Sequence, residues 1–186
     1  MKFARSFSIF LLALAMWPAF AGQVQPAAVK ILPIAKDAGL KGWKAVPDAQ
    51  QYAKGKDLTD IYDGGYERYL EAGVLDAARN LYQRGPDIVE VTVHTMKSKK
   101  TAETFFDTEI KANKANRIRF SLPGMRGAAA QPKHEMAIAY SQEQSLGYAY
   151  AGKYYITVTS MYGGAKARNE IGGFLETILK KAAKPK

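Results

Sequence analysis

Within the run Asp87 to Met96 the residues alternate: Val89, Val91 and Val93 fall on one side, Glu90, Thr92 and His94 on the other. A period of two is what an extended strand imposes, and one apolar side against one polar side predicts a half-buried strand. A second strand-like run covers 74–83, and Gly85-Pro86 between the two is a turn signal. Two strands joined by so short a connection must run antiparallel.

The rest of the chain extends this pattern. Arg117–Phe120, Glu135–Tyr140, Leu146–Tyr150 and Tyr154–Met161 read as strands, the last two joined by a tight turn at Gly152-Lys153. A long loop is expected over 122–133, which holds Pro123, Gly124, Gly127 and Pro132. Helical spacing appears three times. Tyr62, Tyr66, Tyr69 and Leu70 suggest a short helix opened by Asp63-Gly64-Gly65 and stopped at Gly73. Ala102, Phe105, Phe106 and Ile110 form the stripe of a helix capped by Ser98. Ile171, Phe174, Leu175, Ile178 and Leu179 form the stripe of a terminal helix after Gly163-Gly164. Helices with one apolar stripe must cover a sheet. The expected fold class is therefore α+β: a mainly antiparallel sheet covered by helices, an α/β sandwich.

Upstream, Pro26, Pro33 and Pro47 together with Gly39, Gly42 and Gly55 predict an irregular lead-in over 22–56, ahead of a single α+β domain over 57–186. Trp43 in that lead-in is expected to pin it to the core, or else to line a pocket mouth. Residues 1–21 have the three parts of a secretory signal: basic Lys2 and Arg5, an apolar run from Ile9 to Trp17, and small residues at Ala19 and Ala21 before Gly22. Cleavage near Ala21/Gly22 would release a periplasmic or secreted protein. The apolar run is shorter than the roughly 20 residues a membrane helix needs, so no stable membrane insertion is expected.

The chain contains no cysteine. Disulfides, thiolate chemistry and haem attachment through cysteines are thereby excluded. Its formal net charge is +10, and loss of Lys2 and Arg5 with the leader lowers this to +8. Such an excess serves solubility, or docks an acidic protein or cell-envelope polymer; nucleic acid is not a partner expected of an exported chain.

The stretch Leu58-Thr59-Asp60-Ile61-Tyr62-Asp63-Gly64-Gly65-Tyr66-Glu67-Arg68-Tyr69-Leu70-Glu71-Ala72-Gly73 resembles a family of exported bacterial proteins with a domain of unknown function. Members carry an Asn/Asp-Gly-Gly-Ala-Glu-x-Tyr element, followed by a Val- and Glu-rich strand, here Ile88–Met96, and by a helix like that at Ala102–Phe106. Gly152-Lys153-Tyr154-Tyr155-Ile156-Thr157-Val158 is similar to the family's Gly-x-Tyr-Tyr-Val strand. The resemblance runs from about Trp43 to Met161, with Tyr66 where Ala is usual. It implies an α/β sandwich outside the cytoplasm and no settled activity.

Three sets of residues could carry function. The first is Tyr62, Asp63, Gly64, Gly65, Tyr66, Glu67 and Tyr69: two glycines at a helix start expose amide N–H groups that could hold an anion, unless Asp63 accepts them itself as a cap, and the tyrosines could form a recognition surface or bridge helix and sheet. The second is the basic stretch 111–133 with Arg117, Arg119 and Arg126, which could dock a negative partner or be a solvated face. The third is His94 with Glu90 and Met96, the beginning of a metal site that lacks the three or four converging ligands such a site needs. No nucleophile motif is present and no cofactor is implied. The leading expectation is a non-catalytic binding or accessory domain; the alternative is a small periplasmic hydrolase or a metal- or haem-handling protein.

Overall fold

The computed structural model describes residues 26–33, 40–118 and 136–183. The leader, Arg119, Arg126, His134 and the whole of the loop expected over 122–133 lie outside them. The elements in chain order are α1 (Ala27–Ile31), β1 (Lys44–Ala45), β2 (Gln51–Lys54), a 3₁₀ turn (Gly55–Asp60), α2 (Glu67–Glu71), β3 (Val74–Arg84), β4 (Asp87–Met96), α3 (Lys99–Ala112), β5 (Asn116–Ile118), β6 (Met136–Tyr140), β7 (Leu146–Ala151), β8 (Tyr154–Ser160) and α4 (Gly164–Ala182).

Among the described residues eight strands join one open sheet in the order β1-β3-β4-β8-β7-β6-β5, with β2 also paired to β3, and these pairings are antiparallel. The fold is α+β, as the alternating patterns require. Two half-sheets meet at the central β4–β8 ladder, where Val89 faces Ser160 and Thr95 faces Tyr154. Helix α3 carries the chain from β4 to the far edge at β5. No helix among the described residues is long and apolar enough to cross a membrane.

The sheet buries both faces. On one, Val89, Val91, Val93, Ile156 and Val158 pack with Ile171, Phe174, Leu175, Ile178 and Leu179 of α4 and with Ala28 and Ile31 of α1. On the other, Ala77, Met96, Tyr148, Tyr150 and Tyr155 pack with Ala102, Phe105 and Phe106 of α3 and with Leu58 and Ile61. Strand β4 is therefore not half-buried as its polar side suggests. Thr92 and His94 are buried at 4% and 1% exposure, because the sheet is covered from both sides.

Local chemistry explains the two long helices. Ser98 sits in extended conformation and its Oγ accepts the Thr101 N–H at 3.0 Å, satisfying one of the orphan donors that open α3. Helix α4 lies close to β7 because residue 147 is glycine: a Cβ there would collide with Ile171 Cγ2 and lie 3.0 Å from Leu175 Cδ1.

The stretch read as an irregular lead-in contributes α1, β1 and β2. Prolines and glycines hide these elements because each is five residues or fewer and is held by tertiary pairing rather than by local propensity. Trp43 pins this segment to the core as expected. It is 3% exposed, meets Phe174 edge-on at 5.2 Å, and donates its Nε1–H to Glu170 Oε2 at 3.1 Å.

Candidate functional site

Strand register places the polar side chains of the α3-side face in rows that cross the sheet. Residues directly opposite one another on neighbouring strands share a face. The first row reads Ala77, His94, Tyr155, Tyr150 across β3, β4, β8 and β7. The second reads Arg79, Thr92, Thr157, Tyr148, Ala139, Arg117, reaching from β3 to β5. The third reads Leu81, Glu90, Thr159, Leu146. The first row lies beneath α3 and the 55–73 segment. Beyond it the cover thins: Arg79, Leu81, Glu90, Leu146, Thr157 and Thr159 are all half-exposed.

Where the covered and half-open parts meet, aromatic and charged groups converge from four elements. Tyr62 and Tyr69 stack with centroids 4.0 Å apart, and His94 lies parallel to Tyr69 at 5.5 Å. Tyr69 and Tyr155 both meet Phe105 of α3 edge-on. Arg68 spans Glu109 with two contacts, 3.3 and 3.4 Å, and donates to the Tyr69 hydroxyl at 2.8 Å. The hydroxyls of Tyr148 and Tyr155 are buried with no hydrogen-bond partner among the described residues.

The electrostatics follow from burial. The His94 ring is driven down to about 4, first by loss of water and further by the charge of Arg68, against the opposing effect of its hydrogen bond to the Tyr155 carbonyl. At neutral pH it is uncharged. Its Nδ1 lies 3.1 Å from the Tyr155 carbonyl oxygen. A carbonyl can only accept, so Nδ1 carries the proton and Nε2 is left to accept from the Tyr62 hydroxyl, with which it is in contact. Burial raises the phenols of Tyr62 and Tyr155 well above their ordinary value, and the Tyr148 phenol to about 12, with Glu109 adding to the rise at Tyr148 and Tyr155. For Arg68, burial works against the charge, but the Tyr69 hydroxyl and the Glu109 carboxylate more than compensate and raise it. The imidazole and the phenols are thus displaced from neutrality in opposite directions.

The residues singled out from sequence separate into distinct places. Tyr62 and Tyr69 join the cluster, and Tyr66 packs at its margin, so these rings bridge helix and sheet. Asp63, Gly64, Gly65 and Glu67 are exposed. The expected helix is only five residues long and starts after Tyr66, which makes no side-chain cap. Gly64 and Gly65 adopt φ of 88° and 69° in the loop before it. The glycines turn the chain and do not open a helix, so Asp63 is neither a cap nor beside an anion-holding helix end. Arg117 lies on the same face as the cluster, paired with Asp107 and over the Phe106 ring at 5.2 Å.

His94, Glu90 and Met96 share one side of β4 but do not converge. Both His94 nitrogens are engaged, Glu90 faces Arg79 at 3.8 Å, and Met96 is fully buried in the core. No group of three or more His, Asp or Glu side chains that could hold a metal assembles among the described residues. The tyrosines at 148, 150, 154 and 155 divide between the two faces: Tyr154 packs on the α4 side, the others on the α3 side.

Comparisons with known proteins add little. No family model matches the chain, and no curated protein does. Among solved structures it is similar to the extracellular domain of PknH from Mycobacterium tuberculosis, at 11% identity over 85% of this chain and 95% of that one, with a TM-score of 0.49.

Several members of the face carry no motif. Arg79, Glu109 and the β8 pair Thr157 and Thr159 lie far apart in sequence and share this face only through strand pairing and helix docking. The period-two polar residues of β4 and β8 were the available signal; cross-strand register, which aligns them, is not written in either strand alone.

Proposed function

We propose that this protein is an exported, non-catalytic binding or accessory domain, related to the exported family its Asp-Gly-Gly-Tyr-Glu element resembles, and that its α3-side sheet face holds a hydroxylated, acidic cell-envelope polymer or an acidic protein. One observation carries the reading: register lines Arg79, Thr92, Thr157, Tyr148 and Arg117 across the sheet, beside half-exposed Glu90 and Thr159. Such a strip spans five strand spacings, about 24 Å; with Thr92 and Tyr148 buried beneath, its accessible groups are Arg79, Glu90, Arg117 and the hydroxyls of Thr157 and Thr159, which both donate and accept. Exposed Lys111 and Lys114 stand near its Arg117 end in sequence, giving that end a basic border. The displaced titrations support binding over catalysis, since a general acid or base works best with a pKa near the operating pH.

The test is co-sedimentation of the purified protein with isolated cell-wall sacculi at low and physiological salt. Wild type is expected to pellet with the polymer. A variant carrying Thr157→Val, Thr159→Val and Arg117→Glu is expected to remain in the supernatant with unchanged circular dichroism. Charge reversal at Arg117, Arg119 and Arg126 examines the basic stretch separately. Equal pelleting of all three proteins would refute a role for this face and for the loop.

A further inference from the structure

Residues 55–73 leave the sheet between two strands that pair with each other. Lys54 at the end of β2 lies opposite Asp76 near the start of β3, so the base of this excursion is closed by the ladder itself. The segment can therefore lift without breaking strand pairing, as compact surface loops with adjoining ends do. Its hold on the face combines apolar packing, in which Tyr62, Tyr66, Tyr69 and Leu70 join Leu58 and Ile61, with a few polar contacts. Leu58 and Ile61 are buried, and Arg79 Nη1 donates to the Ile61 carbonyl at 2.8 Å. Arg68 grips Glu109, the Lys97 N–H bonds the Gly73 carbonyl at 2.9 Å, and the Tyr62 hydroxyl enters Nε2 of His94.

The last contact depends on charge. With Nδ1–H committed to the Tyr155 carbonyl, Nε2 accepts only while the ring is neutral; a proton there turns the acceptor into a donor facing the Tyr62 oxygen. The groups around the ring do little to hold a second positive charge. Tyr62, Tyr69 and Arg68 come from the segment, Tyr155 from β8 and Ala77 from β3; Phe105 of α3 packs against Tyr69 and Tyr155 beside it. The carboxylates in the neighbourhood already have cations: Glu109 of α3 has Arg68, and Glu90 of β4 has Arg79.

We propose that residues 55–73 form an acid-released flap, latched by the Tyr62 hydroxyl on His94, which lifts from the sheet when His94 takes a proton at Nε2 and bares the row Ala77, His94, Tyr155 while the ladder beneath stays paired. A ring that titrates at about 4 under the flap and near its ordinary value of about 6.5 in water ties opening to pH. The opening equilibrium rises about 100-fold between pH 7 and pH 4.

Hydrogen–deuterium exchange of the protein at the two pH values, corrected for the intrinsic pH dependence of amide exchange, reads this directly. Protection across 55–73 is expected to fall about 100-fold and at both pH values to lie well below that of β4, β7 and β8 amides, which open only in the rarer global event. His94→Gln, whose amide oxygen can still accept from Tyr62, should abolish most of the fall. Glu109→Gln should preserve it, which separates the latch from acid loss of the Arg68 pair. The proposal is overturned if the fall persists in His94→Gln, if flap and central-strand amides share one opening free energy at pH 4, or if nothing falls. Should His94→Gln fail to fold, NMR titration of the His94 ring in the wild type replaces it: its midpoint must coincide with the loss of flap protection, and a separate midpoint overturns the latch.

Discussion

Helix α4 approaches the sheet closely at Gly147, and replacing this residue by alanine tests the packing argument at a single atom. The site is the second residue of β7, paired with Val158 and Tyr140. An added Cβ would collide with Ile171 Cγ2, stand 3.0 Å from Leu175 Cδ1 and 3.5 Å from Tyr140 Cε1. Carbon atoms reach their best separation at about 3.5–4.0 Å, so α4 must retreat or Ile171 must leave its rotamer. Ile171 and Leu175 are both 0% exposed, with core on every side. Overpacking of this kind costs about 1–3 kcal/mol. The backbone at 147 is not in the left-handed region, so alanine also recovers about 0.5–1 kcal/mol of the entropy that glycine gives up in a strand. The net loss is about 1–2 kcal/mol, or a Tm lower by about 2–8 °C for a domain of this size. Urea unfolding measures it, with an unchanged slope showing that only stability moved. A Gly147→Ala, Ile171→Ala double variant should lose less than the sum of its two single changes, since the second removes the obstructing methyl. A Gly147→Ala protein as stable as wild type, or strict additivity in the double variant, would refute the close approach.

Two further outcomes are expected. Ser98→Ala removes the side-chain acceptor at the start of α3 and should cost about 0.5–2 kcal/mol by chemical denaturation, while Ser98→Asp should be nearly neutral. Because folding lowers the His94 pKa to about 4, the native state binds fewer protons than the unfolded chain throughout the interval from 6.5 down to 4. Stability from this residue is therefore complete above about pH 6.5 and declines as pH falls, by about 3 kcal/mol at pH 4; urea unfolding should show wild type losing about that much more than His94→Gln between pH 7 and pH 4, with a constant difference between the two above pH 7.

How legible this protein is from its residues depends on whether the information is local. The β3–β4 hairpin, the β7–β8 hairpin, α3 and α4 follow from periodicity, a turn dipeptide and a cap, all contained within short windows. The strands β1 and β2 do not, since two and four residues among prolines and glycines acquire extended structure only by pairing with β3. The burial of His94 was hidden for a related reason. Its strand reads as half-polar, and only the descent of α3 and the 55–73 segment onto that side makes a buried imidazole of it. The tyrosines at 62 and 69 were visible as a group, but their stacking against a histidine on another strand was not. Nor could the glycine pair reveal that it serves a loop, because Asp-Gly-Gly suits a helix entry and a tight turn equally well.

The ladder at the centre of the sheet has a kinetic consequence. Strands β4 and β8 meet residue by residue, His94 against Tyr155 and Val91 against Val158, so the two halves unite only after more than fifty intervening residues have been gathered. Contacts this distant along the chain demand their closure entropy before they return any energy, and such topologies fold slowly. For the exported protein proposed above, a polypeptide in no haste to close stays threadable, which is the condition a translocation channel requires of its cargo.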